Sequence, residues 1–235
     1  QAKIIDDATN TGTNSYNIND NANNIYLGDS VAIIGAGTVT ASNSTNVAQA
    51  NRISGFSKAV TYNISDTSAN LAGANSEALK QAVAVTATDV ATVAQATTIK
   101  NGGNSGATTY SITDTAAAIA GASQAVLDGA QNIVTTDDPN IVQATTIEDA
   151  ENQGSNTYNI NDTATLIAAS SNAVITQAQT VTANTNATTA QATTISDFTK
   201  AVVYNIEGTA TDIAALGDGA RNEAAKIIVN GTANI

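Results

Sequence analysis

The chain has 235 residues with 8 basic and 20 acidic side chains, a net charge of −12, and no Cys, His, Met or Trp. Without Cys and His, thiol nucleophiles, disulfides, imidazole bases and the common zinc, copper and haem sites are excluded. The acidic balance argues against nucleic acid as a partner because phosphate backbones carry the same sign of charge. No apolar run approaches the roughly 18 residues of a membrane span, so we predict no membrane insertion.

One phrase recurs along the chain and begins with tyrosine. It reads YNIND, YNISD, YSITD, YNIND and YNIEG, opening at Tyr16, Tyr62, Tyr110, Tyr158 and Tyr204. A Gln-Ala marker recurs at Gln1, Gln49, Gln95, Gln143 and Gln191, always 33 residues after a tyrosine where one precedes it. We predict a single repeat array over 1–235 with units 1–48, 49–94, 95–142, 143–190 and 191–235, whose length variation lies in one surface loop.

We number each repeat from its tyrosine as position 0. Alternation of Tyr, a polar residue and Ile at positions 0 to +2 predicts a strand. An aspartate at +4 predicts a helix N-cap, and small or apolar residues at helical intervals follow, with a break indicated near +11 or +12 by Gly73, Gly121 and Ser170. A branched residue at +23 predicts a second strand, at Val39, Val85, Ile133, Val181 and Ile227.

The second half of the repeat is clearest in TTDDPNIVQATTI. Asp138 is placed to cap a short helix with Pro139 at its first position, and Ile141, Ala144 and Ile147 share one face. We therefore predict an elongated α/β solenoid of five stacked β-α-β-α repeats, each 46–48 residues with parallel strands, and without terminal capping repeats. Its core is expected to be thin and built from Ile and Val ladders rather than aromatic residues.

The variable loop is of two kinds. The long loops, DATNTGTNS, KNGGNSGATT and EDAENQGSNT, are turn-forming Asn/Gly sequences. The short loops, SGFSKAVT and SDFTKAVV, contain the two phenylalanines of the chain, Phe56 and Phe198, each followed two positions later by Lys58 or Lys200. We interpret each phenylalanine as an apolar plug over the core edge; a contact surface for a partner is the alternative.

Polar rows recur at fixed positions of the repeat. Stacked marker glutamines and the asparagines at +1 can hydrogen-bond one another, and we predict that structural role rather than substrate binding. The aspartates at +4 (Asp20, Asp66, Asp114 and Asp162) predict helix capping, with calcium as the alternative, although no EF-hand or calcium-binding nonapeptide spacing occurs. Carboxylates do not converge with basic residues, so we predict no enzyme activity and no catalytic, cofactor-binding or metal-binding residues.

The sequence begins at a marker glutamine and its last unit runs almost to the next expected marker. Its first residue is not Met, and its opening residues show no signal-peptide pattern. We therefore expect a segment processed or excised from a longer protein, in which the array continues or the two ends stack head to tail.

YNISDTSANLA, YSITDTAAAIA and YNINDTATLIA, with the VAQA segments, resemble the tandem YxIxDTAxxIA…VAQAxxI units of large secreted bacterial surface proteins. These are adhesin-like, hemolysin-type and surface-layer-associated chains. The first repeat (YNINDNANNIY) and the last (YNIEGTATDIA) depart from the pattern. The resemblance implies an extracellular, rod-like module at the cell surface, with calcium as a candidate stabilising ion.

We expect a structural, self-associating building block of a bacterial surface filament, sheath or surface layer. Its partners would be copies of itself or neighbouring repeats of a longer chain, in lateral or head-to-tail contact. The alternative is a stalk or glycan-binding module of a large secreted adhesin, which would add surface glycans as partners.

Overall fold

A computed structural model describes residues 1–233, in which short helices alternate with short strands. The helices are α1 Ala2–Asp6, α2 Ala22–Leu27, α3 Ser30–Gly35, α4 Val47–Ile53, α5 Ser68–Ala72, α6 Ser76–Gln81, α7 Val93–Lys100, α8 Ala116–Ala120, α9 Gln124–Asp128, α10 Ile141–Glu148, α11 Ala164–Ala168, α12 Asn172–Gln177, α13 Thr189–Ser196, α14 Ala210–Ala214 and α15 Asp218–Glu223. The strands are β1 Ile18–Asp20, β2 Val39–Ala41, β3 Ile64–Asp66, β4 Val85–Ala91, β5 Thr108–Asp114, β6 Ile133–Thr135, β7 Asn156–Thr157, β8 Ile160–Asp162, β9 Val181–Ala183, β10 Asn205–Thr209 and β11 Lys226–Asn230. The predicted α/β class and parallel strand pairing are confirmed for these residues.

The described residues form two compact units. The first contains residues 1–112 and 129–131, and the second contains residues 113–128 and the described residues from 132 onward. In the first unit β1 pairs with β2, and β4 pairs with β3 on one side and with β5 on the other. In the second unit the pairs are β6 with β7, β8 with β9, and β10 with β11.

The two strands of a repeat lie side by side in a constant register. In four repeats the isoleucine at +2 pairs with the branched residue 21 positions later, as Ile18 with Val39, Ile64 with Val85, Ile160 with Val181, and Ile206 with Ile227. Isolated parallel bridges then join the second strand of one repeat to the segment before the next tyrosine strand, at Thr40 with Thr61 and at Thr182 with Val203. Each half-repeat in these places therefore adds one strand to a parallel ladder.

The helix predicted between the two strands of a repeat is divided in two. The first helix ends near +11, where Gly28, Gly73 and Gly121 occupy the C-cap position. A second helix then starts with its own cap, as at Asp29, whose carboxylate accepts the Val31 and Ala32 N–H groups at 2.9 and 3.3 Å. Because the second cap opens a new helix, the repeat is β-α-α-β-α rather than the predicted β-α-β-α.

The short helix in the second half of the repeat is present as predicted, in α4, α7, α10 and α13. Ile141, Ala144 and Ile147 are all buried, which confirms the predicted apolar face of α10. The predicted cap is wrong, however, because Asn140 is the N-cap and Pro139 precedes it. The Pro139 carbonyl accepts the Asn161 N–H at 3.1 Å, so the proline belongs to a strand contact and not to the helix.

The core contains aromatic side chains, contrary to the sequence-based expectation. Tyr62, Tyr110, Tyr158 and Tyr204 are at most 2% exposed and are among the largest fully buried side chains. The Tyr62 and Tyr204 hydroxyls each donate to a helix carbonyl 16 residues later, of Ala78 and Ala220, at 2.9 Å. A phenol can be buried at low cost where its hydroxyl has an acceptor, which the sequence pattern does not display.

Candidate functional site

The first N–H group of many helices is bound by a side chain from the following half-repeat. Such a group has no acceptor within its own helix. The acceptor lies 21 residues later in most cases, with distances of 2.6–3.0 Å, as in Ala22 to Asn43, Ser68 to Asp89, Ala116 to Asp137, Ile141 to Asp162 and Ala164 to Thr185. These bonds join one half-repeat to the next through polar side chains at recurring positions.

The aspartate row at +4 is part of this network and not the predicted row of N-caps. The N-cap is the next residue, Asn21, Thr67, Thr115, Thr163 or Thr209, whose side chain accepts the N–H three positions later. The aspartate closes its strand, and Asp66 and Asp162 each accept the first N–H of the helix in the preceding half-repeat, Val47 or Ile141, at 2.8 Å. The predicted N-cap role is therefore wrong, and Asp66 and Asp162 instead bind the start of a different helix.

The Asp66 carboxylate shows how fully this row is bonded. It accepts the Val47 N–H, the Thr67 N–H and the Asn70 side-chain amide, all at 2.8 Å. Desolvation raises the pKa of Asp66, but these hydrogen bonds outweigh it and hold the pKa below its usual value. Asp89 behaves similarly, since the bonds from Ser68 lower its pKa. Such carboxylates have few lone pairs left for a cation.

The marker glutamines do not form the predicted amide ladder. Gln49, Gln95, Gln143 and Gln191 are the third residues of α4, α7, α10 and α13, and each side-chain oxygen accepts the backbone N–H of the N-cap residue. The N-cap side chain accepts the glutamine N–H in return, which makes four capping boxes. The spacing N/T-x-x-Q in the sequence was the signal for this motif.

The asparagines at +1 also bond across half-repeats rather than mainly to one another. The Asn17 and Asn63 side-chain oxygens accept the N–H groups of Thr38 and Ala84 at 2.9 and 3.1 Å. Asn159 accepts the Thr180 hydroxyl at 2.8 Å. The row therefore fixes the register of the two strands within a repeat.

Most residues of the variable loops are exposed or half-buried. Phe56 and Phe198 are half-buried, as are Lys58 and Lys200. In the long loop of the second unit, the Asn156 amide donates to the Ile147 carbonyl at 2.8 Å, while Glu151, Gln153 and Gly154 are exposed. The plug interpretation fits the partial burial of the phenylalanines.

The first repeat presents an incompletely covered surface, which we call the leading face and define as residues 15–20 with the exposed side chains of α1 to α3. Tyr16 and Ile18 are only half-buried, unlike their fully buried counterparts in later repeats. Ile4, Leu27 and Val31 are 77%, 65% and 63% exposed. An open depression of about 550 Å³ lies here, lined by α1, β1, α2 and the start of α3.

The polar groups of the leading face are bonded to one another. The Tyr16 hydroxyl lies 2.9 Å from an Asp6 carboxylate oxygen and 2.7 Å from the Ala32 carbonyl. Burial, followed by the bond to Asp6, raises the pKa of Tyr16, so its phenol stays protonated at neutral pH. Lys3 pairs with Asp7 and Asp29 at 2.9 and 3.7 Å. These contacts join α1 to α3 and to Tyr16.

The last strand presents a second such surface, the trailing face, which we define as residues 226–233. Strand β11 pairs with β10, and no other strand among the described residues lies beside it. Ile227 is 40% exposed, whereas its counterparts Val39 and Val181 are 2% and 1% exposed. Val229 is also 40% exposed. The trailing face therefore exposes Ile227, at a position that is in the core elsewhere in the molecule, beside an exposed Val229.

Residues 1–233 lack two further kinds of feature. No group of three or more acidic side chains in that range is arranged to hold a metal ion. None of the described helices has the length and apolar character needed to cross a membrane. Calcium binding therefore stays a prediction.

No protein-family model, curated protein or solved structure matches this chain. The two incompletely covered faces and the bonds between half-repeats are therefore the features from which a function can be inferred.

Proposed function

We propose that this chain is a structural, extracellular repeat protein that builds a bacterial surface filament, sheath or surface layer by associating with copies of itself. The single observation that carries the proposal is the reduced burial of Tyr16 and Ile18 at the leading face and of Ile227 at the trailing face, at positions that are buried in the other repeats. Exposed apolar side chains grouped on one face are typical of an interaction surface.

We further propose that the half-repeats are coils of an α/β solenoid. Recurring strand registers of 21 residues and recurring helix-to-carboxylate bonds support this architecture within each unit. The helices contribute too, since α4 packs against α2 and α6, and α13 packs against α11 and α15. In such an architecture each coil depends on its neighbours for its core, which favours association at an uncovered coil.

Negative-stain microscopy of the purified chain, with and without calcium, tests the proposal. We expect filaments or layers that lengthen or widen with protein concentration, because contacts between different faces of one molecule need not close on themselves. Discrete monomers at high concentration under both conditions would contradict it.

A second candidate is the stalk or glycan-binding module of an adhesin. Exposed Asn and Gln side chains on the long loops favour it, for example Asn10 and Gln153, since amides are suited to bind sugar hydroxyls. A glycan array with the wild-type chain and with variants carrying the short loop in place of the long ones separates the candidates. Glycan binding that is lost on loop shortening supports the adhesin, and the absence of any binding contradicts it.

A further inference from the structure

The junction between one repeat and the next has the same four backbone hydrogen bonds in both units. In the first unit Ala41 N–H donates to Thr61 O and Thr61 N–H to Val39 O, both at 2.9 Å, while Thr45 N–H donates to Asn63 O at 2.7 Å and Ser65 N–H to Thr45 O at 2.9 Å. In the second unit the corresponding bonds are Ala183 to Val203, Val203 to Val181, Ala187 to Asn205 and Glu207 to Ala187, at 2.7–2.9 Å. Two independent copies thus define one junction geometry.

The leading face offers one half of this junction without its partner. Thr61, Asn63 and Ser65 correspond in sequence position to Ser15, Asn17 and Asn19. The backbone groups of alternate residues in a strand point to opposite sides, and β1 has β2 on one side. Among residues 1–233, four backbone groups at this edge make no backbone hydrogen bond: the N–H and C=O of Ser15, the C=O of Asn17 and the N–H of Asn19.

The trailing face offers the other half. Val39, Ala41 and Thr45 correspond to Ile227, Val229 and Ala233. In β11, the backbone N–H and C=O groups of Ile227 and Val229 point away from β10. Those of the residues between and beside them face β10. The apolar side chains match as well, since Ile227 lacks the cover that Val39 and Val181 have, and Ile18 lacks the cover that Ile64 and Ile206 have.

We infer that the trailing face of one copy of this chain pairs with the leading face of a second copy, reproducing the internal junction. Val229 N–H donates to Ser15 O of the second copy, and Ser15 N–H donates back to Ile227 O. Ala233 N–H donates to Asn17 O, and Asn19 N–H donates to Ala233 O. This inference rests on the proposed function and specifies the joint through which the copies associate. This pairing gives hydrogen-bond partners to the unpaired edges of β1 and β11. The addition of a parallel strand requires backbone hydrogen bonds alone.

Proline variants of the full chain test the joint by sedimentation velocity. Val229→Pro blocks the trailing face and Asn19→Pro blocks the leading face, and each removes an N–H that points away from the strand's own partner, a position that tolerates proline. We expect the wild type to associate with concentration, each variant alone to remain monomeric, and an equimolar mixture to form a dimer and nothing larger. The control is Val142→Lys, a change at a residue 67% exposed on α10, which should associate like the wild type.

Disulfide cross-linking tests the joint without a proline substitution. The chain has no native cysteine, so the introduced cysteines can react only with each other. The internal bridges Thr40 with Thr61 and Thr182 with Val203 place Ile228 opposite Ser15 in the joint. A mixture of Ile228→Cys and Ser15→Cys chains should form a covalent heterodimer on mild oxidation, with a yield at least several-fold above that of Ile228→Cys mixed with Val142→Cys.

The outcomes separate the joint from the function. If the wild type associates but both proline variants associate equally well and the cysteine pair shows no preference, the joint is wrong and self-association proceeds elsewhere. If the wild type stays monomeric at every concentration, both the joint and the proposed function are overturned.

Discussion

At the scale of single residues, the repeat tyrosine connects the first strand of its repeat to the second helix. The hydroxyls of Tyr62 and Tyr204 bond helix carbonyls at 2.9 Å, and that of Tyr158 lies 3.4 Å from the Val174 carbonyl. The ring contributes a large buried apolar surface in a chain with only 3% aromatic residues. The hydroxyl also bonds the carbonyl of the third residue of that short helix, so phenylalanine would not be equivalent.

The change Tyr62→Phe tests this role. We expect the free energy of unfolding to fall by about 1 kcal/mol, because a buried hydrogen bond is lost and the Ala78 carbonyl is left without that donor. Chemical denaturation followed by circular dichroism measures the change. Tyr26→Phe is the control, since Tyr26 is half-buried and its ring contacts Arg52; an equal loss for both variants would argue against a specific hydroxyl role.

Burial of the same phenols predicts a loss of stability at high pH. Burial, followed by the nearby Glu77 carboxylate, raises the pKa of Tyr62 to about 12, and burial also raises the pKa of Tyr158 and Tyr204. Since unfolded tyrosine ionises near pH 10, the stabilisation is complete below that pH and is lost as the pH rises towards the folded-state value. We expect the free energy of unfolding to decline from about pH 10 to about pH 12, with a shallower slope in Tyr62→Phe. Full tyrosinate absorbance near pH 10 in the folded chain would contradict this.

At the scale of elements, the capping boxes determine where the short helices begin. Asn140 accepts the Gln143 N–H at 2.9 Å, and Gln143 accepts the Asn140 N–H at 3.0 Å. Helices of eight residues or fewer are unstable alone, so caps and packing must define their starts.

Replacing the cap of α10, Asn140→Ala, should therefore cost about 1 kcal/mol of unfolding free energy. The matched control is Thr146→Ala on the same helix, where the hydroxyl bonds only the Val142 carbonyl at 3.2 Å and alanine is the better helix former. Thermal and urea denaturation of both variants measure the difference. A cost for Thr146→Ala as large as that for Asn140→Ala would indicate general helix loss rather than loss of the cap.

The carboxylates that join two elements predict a loss of stability in acid. Hydrogen bonds from Val47, Asn70 and Thr67 overcome the effect of burial and lower the pKa of Asp66, so its contribution is present above the usual carboxyl pKa and is lost as the pH falls through the folded-state value. We expect Asp66→Asn to destabilise the chain at neutral pH and to flatten its acid unfolding profile. Asp197→Asn, at an exposed carboxylate, is the control, and identical profiles for both variants would remove Asp66 from this role.

At the scale of the whole molecule, net charge opposes the association of copies. The chain carries −12 at neutral pH, so two copies repel until salt screens them, over a Debye length of about 10 Å at about 0.1 M. We expect sedimentation velocity to show stronger self-association as salt rises from about 0.02 M to about 0.3 M, and no such change for Ile227→Lys, which places a charge in the trailing face. Association that weakens with salt would indicate a joint built on ion pairs.

The sequence was sufficient to predict the α/β class, the parallel strands and the short helix with its apolar face, because these depend on local patterns such as Ile141, Ala144 and Ile147 on one face. It did not identify Asn140 as the cap of that helix. It was insufficient for the burial of Tyr62 and for the amide bonds received by Asp66. Both depend on partners from another element, Ala78 and Val47, and these partners become evident only once the strand register is known. The periodicity predicted an array without terminal capping repeats, but for the same reason it did not show which side chains and strand edges form the leading and trailing faces.

The junction bonds have a consequence for the history of the gene. The same donors and acceptors recur at matching positions in both units, so excising one complete 46- or 48-residue period would bring equivalent partners together again. Unequal recombination between copies of the coding segment could therefore shorten or extend the protein by whole periods without disturbing its hydrogen bonding. A cut that removed a fraction of a period would instead oppose unlike residues, so selection should preserve the period far more strictly than the total number of copies.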